Sequence, residues 1–360
     1  MSDPPEHSGS GPTRRERRRR RLAALGVSLV VACALGEVLV RATIGSPLAE
    51  RPPLLHVRSH ATRGWEMVPG ETHFTYHHSV SVNSLGLRGN EVPQTKGDEL
   101  RVLALGDSLI YGQGVADYET LPHYLEQALA AGGGEGRTWR VINGGLRGYD
   151  TTQELALLRE LGERIVPDVV ILLWYWNDLS GSPIEQLAAN LAPWESVCFD
   201  LGMPFKGRAR KIWRAKEILR RSALLMLAHD AWVARGDDGF QAALGGVSPA
   251  EGLARLAAHL DRFVALGESL GFRPIFAVVP ESASLRRPHP SEPSAERAAE
   301  LAAERGLGVI DLRAPLEALT EAAGKVPIIP FDGHYLPSAN RAMAEAVAAH
   351  LLAPGRAGGR

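Results

Sequence analysis

At 360 residues, 45% hydrophobic and 22% charged, the chain can hold one large domain or two small ones and has the composition of an ordinary globular protein. A formal net charge of -1 gives no global sign of nucleic-acid binding. Of the two cysteines, Cys33 lies in an apolar run and Cys198 in a polar region, so an intrachain disulfide is not expected.

The charge is nevertheless uneven. Residues 14–21, RRERRRRR, hold seven Arg and one Glu, and residues 1–21 read as a disordered basic cytoplasmic tail. The next 19 residues, LAALGVSLVVACALGEVLV (22–40), carry one charge, Glu37, before Arg41. At about 1.5 Å per residue they span roughly 28 Å, close to the hydrocarbon thickness of a bilayer. Residues 22–44 are therefore expected to be a transmembrane signal anchor. The arginines before it place the N-terminus in the cytoplasm and residues from about 45 outside. Glu37 is costly in lipid, and its place near the outer end lets it reach the interface. The apolar residues before Cys33 also fit a signal-peptide core, with Val30-Val31-Ala32-Cys33 as a weak lipoprotein-type cleavage box. The run continues past Cys33 without a small-x-small site, which favours an uncleaved anchor. Arg14-Arg15 lacks the hydrophobic follow-up of a twin-arginine signal.

Residues 45–71 read as a Pro-bearing linker, and 72–92 (THFTYHHSVSVNSLGLRGNEV) as a hairpin or edge strand leading into a domain over 72–355. From about 99, short apolar runs at 101–105, 139–143, 168–176, 274–279 and 308–312 alternate with helix-period stretches at 118–131, 151–164, 249–269, 294–305 and 337–352. Continuous Val/Ile/Leu strands separated by helices predict an α/β fold, a parallel sheet covered on both faces, with ligands outside the carboxyl ends of its strands. Residues 181–248 break the rhythm and read as a mostly helical cap insertion. Its basic stripe, KGRARKIWRAKEILRR, is expected to be a solvated helix face, with contact to an anionic membrane surface or polymer left open.

The strand ends carry the chemistry-bearing residues. The first ends Gly106-Asp107-Ser108, where Ser108 or Asp107 can cap the following helix, or Ser108 can serve as a nucleophile at a helix N-terminus. The second ends Asn143-Gly144-Gly145-Leu146-Arg147-Gly148, a turn whose backbone N–H groups can donate to an oxyanion. The third ends Tyr175-Trp176-Asn177-Asp178, with a side-chain amide donor. Just before the last helix comes Asp332-Gly333-His334, a base with a carboxylate to orient it. Each element alone fits a structural role; their order along the chain argues for one site.

These blocks resemble the SGNH (GDSL-type) hydrolases over roughly residues 80–353: ALGDSLIYGQGV, NGGLRGYDTTQEL, YWND and DGHYLPSANRAMAEAV match the first, second, third and fifth family blocks. VNSLGLRGNEV also looks like the lead-in of bacterial members with an N-terminal anchor. The resemblance implies a flavodoxin-like three-layer α/β/α sandwich. It implies Ser108 as nucleophile, His334 as general base and then acid, and Asp332 orienting His334. The oxyanion hole would be built from the N–H groups of Ser108 and Gly145 and the side chain of Asn177. No metal or organic cofactor is implied. Two departures stand out: Tyr175 replaces the usual Gly of the third block, and the carboxylate lies one residue closer to His334 than in the commoner Asp-x-x-His.

The remaining histidines are expected to be structural: His73, His77 and His78 on a surface strand, His123 and His259 on helices. Adjacent His77 and His78 point to opposite faces of a strand and do not form a metal pair. The expected activity is hydrolysis of small-molecule or carbohydrate esters outside the cytoplasmic membrane through an acyl-serine. O-acyl transfer to an envelope or exported polysaccharide by the same residues is the alternative, and a non-catalytic scaffold the third.

Overall fold

The computed structural model describes residues 13–133, 136–233 and 244–353. Helix α1 (Arg14–Thr43) runs unbroken through the basic segment into the apolar one. A capping box, in which Thr13 and Glu16 satisfy each other's backbone N–H, starts it, and Arg, Ala and Leu propagate it. Residues 14–21 are thus helical rather than a disordered tail; residues 1–12 of that expectation lie outside the described residues. The helix is long and apolar enough to cross a membrane, and only Val40 in it is buried.

The expected linker contains structure. β1 (His56–His60) and β2 (Gly64–Met67) pair antiparallel, Val57 opposite Met67. Their four or five residues of mixed polarity give too short a run for a periodic signal. β3 (Thr72–Thr75) and β4 (His78–Ser81) form the expected hairpin. The chain then enters β5 (Glu99–Gly106), α2 (Ser108–Tyr111), α3 (Leu121–Ala131), β6 (Thr138–Gly145), α4 (Thr151–Ile165) and β7 (Val169–Trp174).

The cap follows with α5 (Ile184–Leu191), β8 (Val197–Cys198), α6 (Gly207–Arg220) and α7 (Ala223–Val233). It is not purely helical: β8 adds to the β1–β2 sheet, Val197 opposite Val57. The cap also grips the outer end of α1. The Glu37 carboxylate accepts hydrogen bonds from Ser222 Oγ (2.8 Å) and the N–H groups of Ala223 (2.9 Å) and Leu224 (3.0 Å), capping α7. Arg41 Nε donates to the same carboxylate at 2.7 Å.

The core domain resumes with α8 (Pro249–Leu270), β9 (Arg273–Val278), α9 (Glu292–Ala303), β10 (Gly308–Asp311), α10 (Arg313–Ala323) and α11 (Pro337–Leu352). The five strands are all parallel in the order β10-β9-β7-β5-β6. That is the flavodoxin-like doubly wound order, with its switch point at β5. Alternate residues of β5 serve opposite layers. Leu103 and Leu105 pack in one core with Leu158 of α4 and Phe263 of α8, and Val102 and Ala104 in the other with Leu125 of α3 and Met343 of α11.

Candidate active site

Three loops leaving the carboxyl ends of β5, β6 and β7, and a fourth before α11, supply the site. At the first, Gly106 is required by packing: a Cβ there would fall 2.6 Å from Ile110 Cγ1. Asp107 is the cap, its Oδ1 accepting the Leu109 N–H at 2.8 Å. Ser108 is therefore free of capping and points its hydroxyl elsewhere. Helix α2 lasts a single turn and ends at Gly112 with φ 85°, so its macrodipole is too short to be a major source of field, contrary to the sequence-based expectation. Arg88 secures that turn from the lead-in loop, donating to the carbonyls of Tyr111, Gly112 and Val115 at 2.7–2.8 Å.

His334 reaches Ser108 across 226 positions, with Nε2 2.8 Å from Oγ. Its Nδ1 lies 2.6 Å from Asp332 Oδ1, which also accepts the His334 backbone N–H at 3.1 Å. An ionised carboxylate only accepts, so Nδ1 carries the proton and Nε2 accepts from the serine. The short Asp-x-His spacing works because the turn is tight. Phe331 (φ 62°) and Gly333 (φ 89°) are both left-handed, and Ile329 bonds His334 through N–H to carbonyl at 2.7 Å. Ser108, Asp332 and His334 are each partly exposed, so the chain of bonds opens to solvent.

Asp332 has a further partner that the sequence does not reveal. The Tyr76 hydroxyl donates to its Oδ2. Tyr76 sits in the β3–β4 turn at φ 53°, a conformation costing a non-glycine residue about 1 kcal/mol or more. Burial of Asp332 opposes its ionisation, but the hydrogen bond and charge of His334, with the Tyr76 hydroxyl, outweigh it and hold the pKa below the ordinary Asp value.

Asn177 Nδ2 donates to Asp107 Oδ2 at 2.8 Å, which fixes the amide beside Ser108 and leaves its second N–H for a ligand. Gly145 is not placed as expected. Its N–H is donated to Asn143 Oδ1 at 3.0 Å, because that side chain folds back over two residues. A Cβ on Gly145 would lie 2.1 Å from Tyr111 N, so this glycine lets α2 pack against β6. Three residues on, Gly148 (φ 74°) occupies the left-handed position of a turn closed by Tyr149 N–H to the Leu146 carbonyl, and its own N–H has no acceptor among the described residues.

Tyr175, in the unusual position, is tied to the loop after β9: its hydroxyl and Trp176 Nε1 (2.6 Å) both donate to Glu281. This makes a fixed aromatic wall beside the Asn177 loop. Behind it lies a buried acidic group of Asp107, Asp150, Glu154 and Asp178. Desolvation, reinforced by neighbouring carboxylates, raises Glu154 and Asp178 well above their ordinary values, and neither Glu154 oxygen has a hydrogen-bond partner among the described residues. Among the described residues no group of three or more His, Cys, Asp or Glu is arranged to hold a metal ion. His73 differs from the expected surface residue: it is buried against Tyr111, where desolvation drives its pKa down to about 3 and keeps it neutral. Cys33 and Cys198 are both free.

A doubly wound α/β sandwich with a Ser–His–Asp hydrogen-bond chain at its strand ends defines a class of hydrolase-type sites. The sequence profile of the GDSL-like Lipase/Acylhydrolase family matches residues 104–350, and the chain belongs to that family. It is 34% identical over 103 residues, 28% of its length, to an arylesterase of Vibrio mimicus. The chain spans about half the length of that curated relative, 50% of it. Among solved structures it is similar to the lipase/acylhydrolase of Enterococcus faecalis, at 15% identity and TM-score 0.39 over 70% of this chain and 95% of that one. It is also similar to a catalytic mutant of the acetylxylan esterase Axe2 of Geobacillus stearothermophilus, at 13% identity and TM-score 0.41 over 72% and 97%.

Proposed function

We propose that this chain is a membrane-anchored serine ester hydrolase whose catalytic domain faces the outside of the cytoplasmic membrane. The observation that carries the reading is the continuous hydrogen-bond chain Ser108–His334–Asp332. His334 Nε2 takes the Ser108 proton as Oγ bonds to the acyl carbonyl carbon. The carbonyl π electrons move to oxygen, where the Ser108 N–H and the free Asn177 N–H receive the charge. The Gly148 N–H, rather than that of Gly145, is the third donor in this reading. Collapse of the tetrahedral adduct breaks the ester bond, the alcohol leaves with the proton from His334, and water then releases the acid from the acyl-serine by the same steps. Asp332 stays ionised and steadies the imidazolium. The arginine-rich start of α1, its apolar length and the capping of α7 by Glu37 support α1 as an uncleaved anchor.

Full-length protein in detergent, assayed on p-nitrophenyl acetate, should lose activity to background on Ser108→Ala. A fluorophosphonate probe should label the wild type and neither Ser108→Ala nor His334→Ala. Undiminished turnover by Ser108→Ala overturns the mechanism, and absence of labelling in the wild type returns the chain to a scaffold. The wall of Tyr175 and Trp176 favours a second reading, acyl transfer to a carbohydrate hydroxyl from the same acyl-serine. Product analysis with an acyl donor and an oligosaccharide separates acylated sugar from free acid.

A further inference from the structure

Helix α7 starts level with the last turns of the apolar run of α1: Leu224 lies over Gly36, and Glu37 caps its first N–H groups. Its sequence, ALLMLAHDAWV, carries only His229 and Asp230 as polar side chains, 3.3 Å apart. Leu225, Leu227 and Trp232 point away from the protein, Trp232 at 71% exposure, and Ile218 at the end of α6 does so at 69%. Clustered large apolar side chains left this bare mark an interaction face. On the same arm, α6 exposes Arg208, Lys211, Arg214 and Lys216, none of which has an ion-pair partner among the described residues. A basic helix joined to an apolar one, beginning at the level where α1 leaves its apolar run, has the make-up of an interfacial membrane element.

We propose that α6 and α7 dock the cap onto the lipid bilayer, α7 lying at the headgroup–acyl boundary beside α1 and α6 presenting its cations to anionic headgroups. This rests on reading α1 as a membrane span. It makes the bilayer a fixed floor beneath the cap. Continuity with the lipid-facing surface of α1 favours lipid over a second copy of the chain, and the unpaired cations favour an anionic leaflet.

The test uses the full chain in vesicles with chains brominated at mid-depth, made of phosphatidylcholine with or without phosphatidylglycerol. A bimane label goes on native Cys33, which is exposed while Cys198 is buried. In a Cys33→Ala background it goes on Leu227→Cys, or on Glu300→Cys on α9. Quenching at Cys33 and Leu227→Cys but not at Glu300→Cys is expected, with the Leu227→Cys signal weakening when phosphatidylglycerol is omitted or Arg208, Lys211, Arg214 and Lys216 are changed to Glu. Quenching at Cys33 alone overturns the docking while leaving the anchor intact. Quenching at neither removes the anchor, and the docking with it. Disulfide-linked dimers of Leu227→Cys overturn lipid in favour of a second copy. A Leu227→Cys signal indifferent to phosphatidylglycerol overturns the headgroup assignment.

Discussion

Two carboxylate regions near the site behave oppositely. Asp332 is surrounded by donors: the His334 ring, the His334 backbone N–H and the Tyr76 hydroxyl, so it ionises readily although mostly withdrawn from water. Glu154 and Asp178 lie beside other carboxylates, and neither Glu154 oxygen has a donor among the described residues. Desolvation opposes ionisation in both. What separates a carboxylate that can hold an imidazolium from one kept neutral is the sign of the neighbouring charge together with the supply of N–H and O–H groups: Asp178 accepts from Thr151 and the Tyr175 N–H and is still raised beside its carboxylate neighbours.

The sharpest way to break this contrast is Asp332→Asn, which keeps the shape but removes the charge and inverts the tautomer preference of His334. A loss of about 10⁴-fold in kcat is expected in steady-state ester hydrolysis. The same variant should flatten the acid limb of stability. A depressed pKa contributes stability above the unfolded-state value, lost as pH falls through the lower folded value, and the variant lacks that term. Asn177→Ala comes next, with a loss of about 10²–10³-fold in kcat as one oxyanion donor goes. Tyr76→Phe should cost less, roughly tenfold in kcat, since one hydrogen bond to a charged group is worth about 1.5–3 kcal/mol and Asp332 keeps its others.

The smallest effect concerns stability alone. A carboxyl raised by folding penalises the native state once pH exceeds its unfolded value, and the penalty grows until pH passes the folded value. Glu154→Gln should therefore raise Tm at neutral and alkaline pH, by about 2–4 °C for each kcal/mol relieved, and leave it unchanged in acid. An equal shift at all pH values would mean that Glu154 is ionised in the native protein, which would erase the contrast with Asp332.

The parallel sheet was legible because each strand is a continuous apolar run closed by polar residues. Ser108, His334 and Asp332, the proposed nucleophile, base and orienting carboxylate, could be singled out because they sit where such runs or a helix begin or end. Ser108 and His334 meet although 226 positions apart, and no local pattern states that; the order of the blocks did. Tyr76 could not be found this way, since its role depends on a turn 256 positions from Asp332 and on a backbone angle unusual for tyrosine. Arg88 was equally hidden, its partners being carbonyls that every residue has. Gly145 and Gly148 look alike within NGGLRG in sequence, while packing against α2 and a turn closure separate their surroundings in space. Helix α10 went unread although its residues are ordinary helix formers, and β1, β2 and β8 are too short to show a period.

The carboxylate of Glu37 makes helix α1 part of the folded body and not a leash. A shortened protein beginning after Thr43 would lose the acceptor for the Ala223 and Leu224 amides and the cover over Leu224. Such a preparation would carry a frayed greasy helix at its surface and would tend to clump, so full-length material is the sounder starting point for biochemistry on this family member.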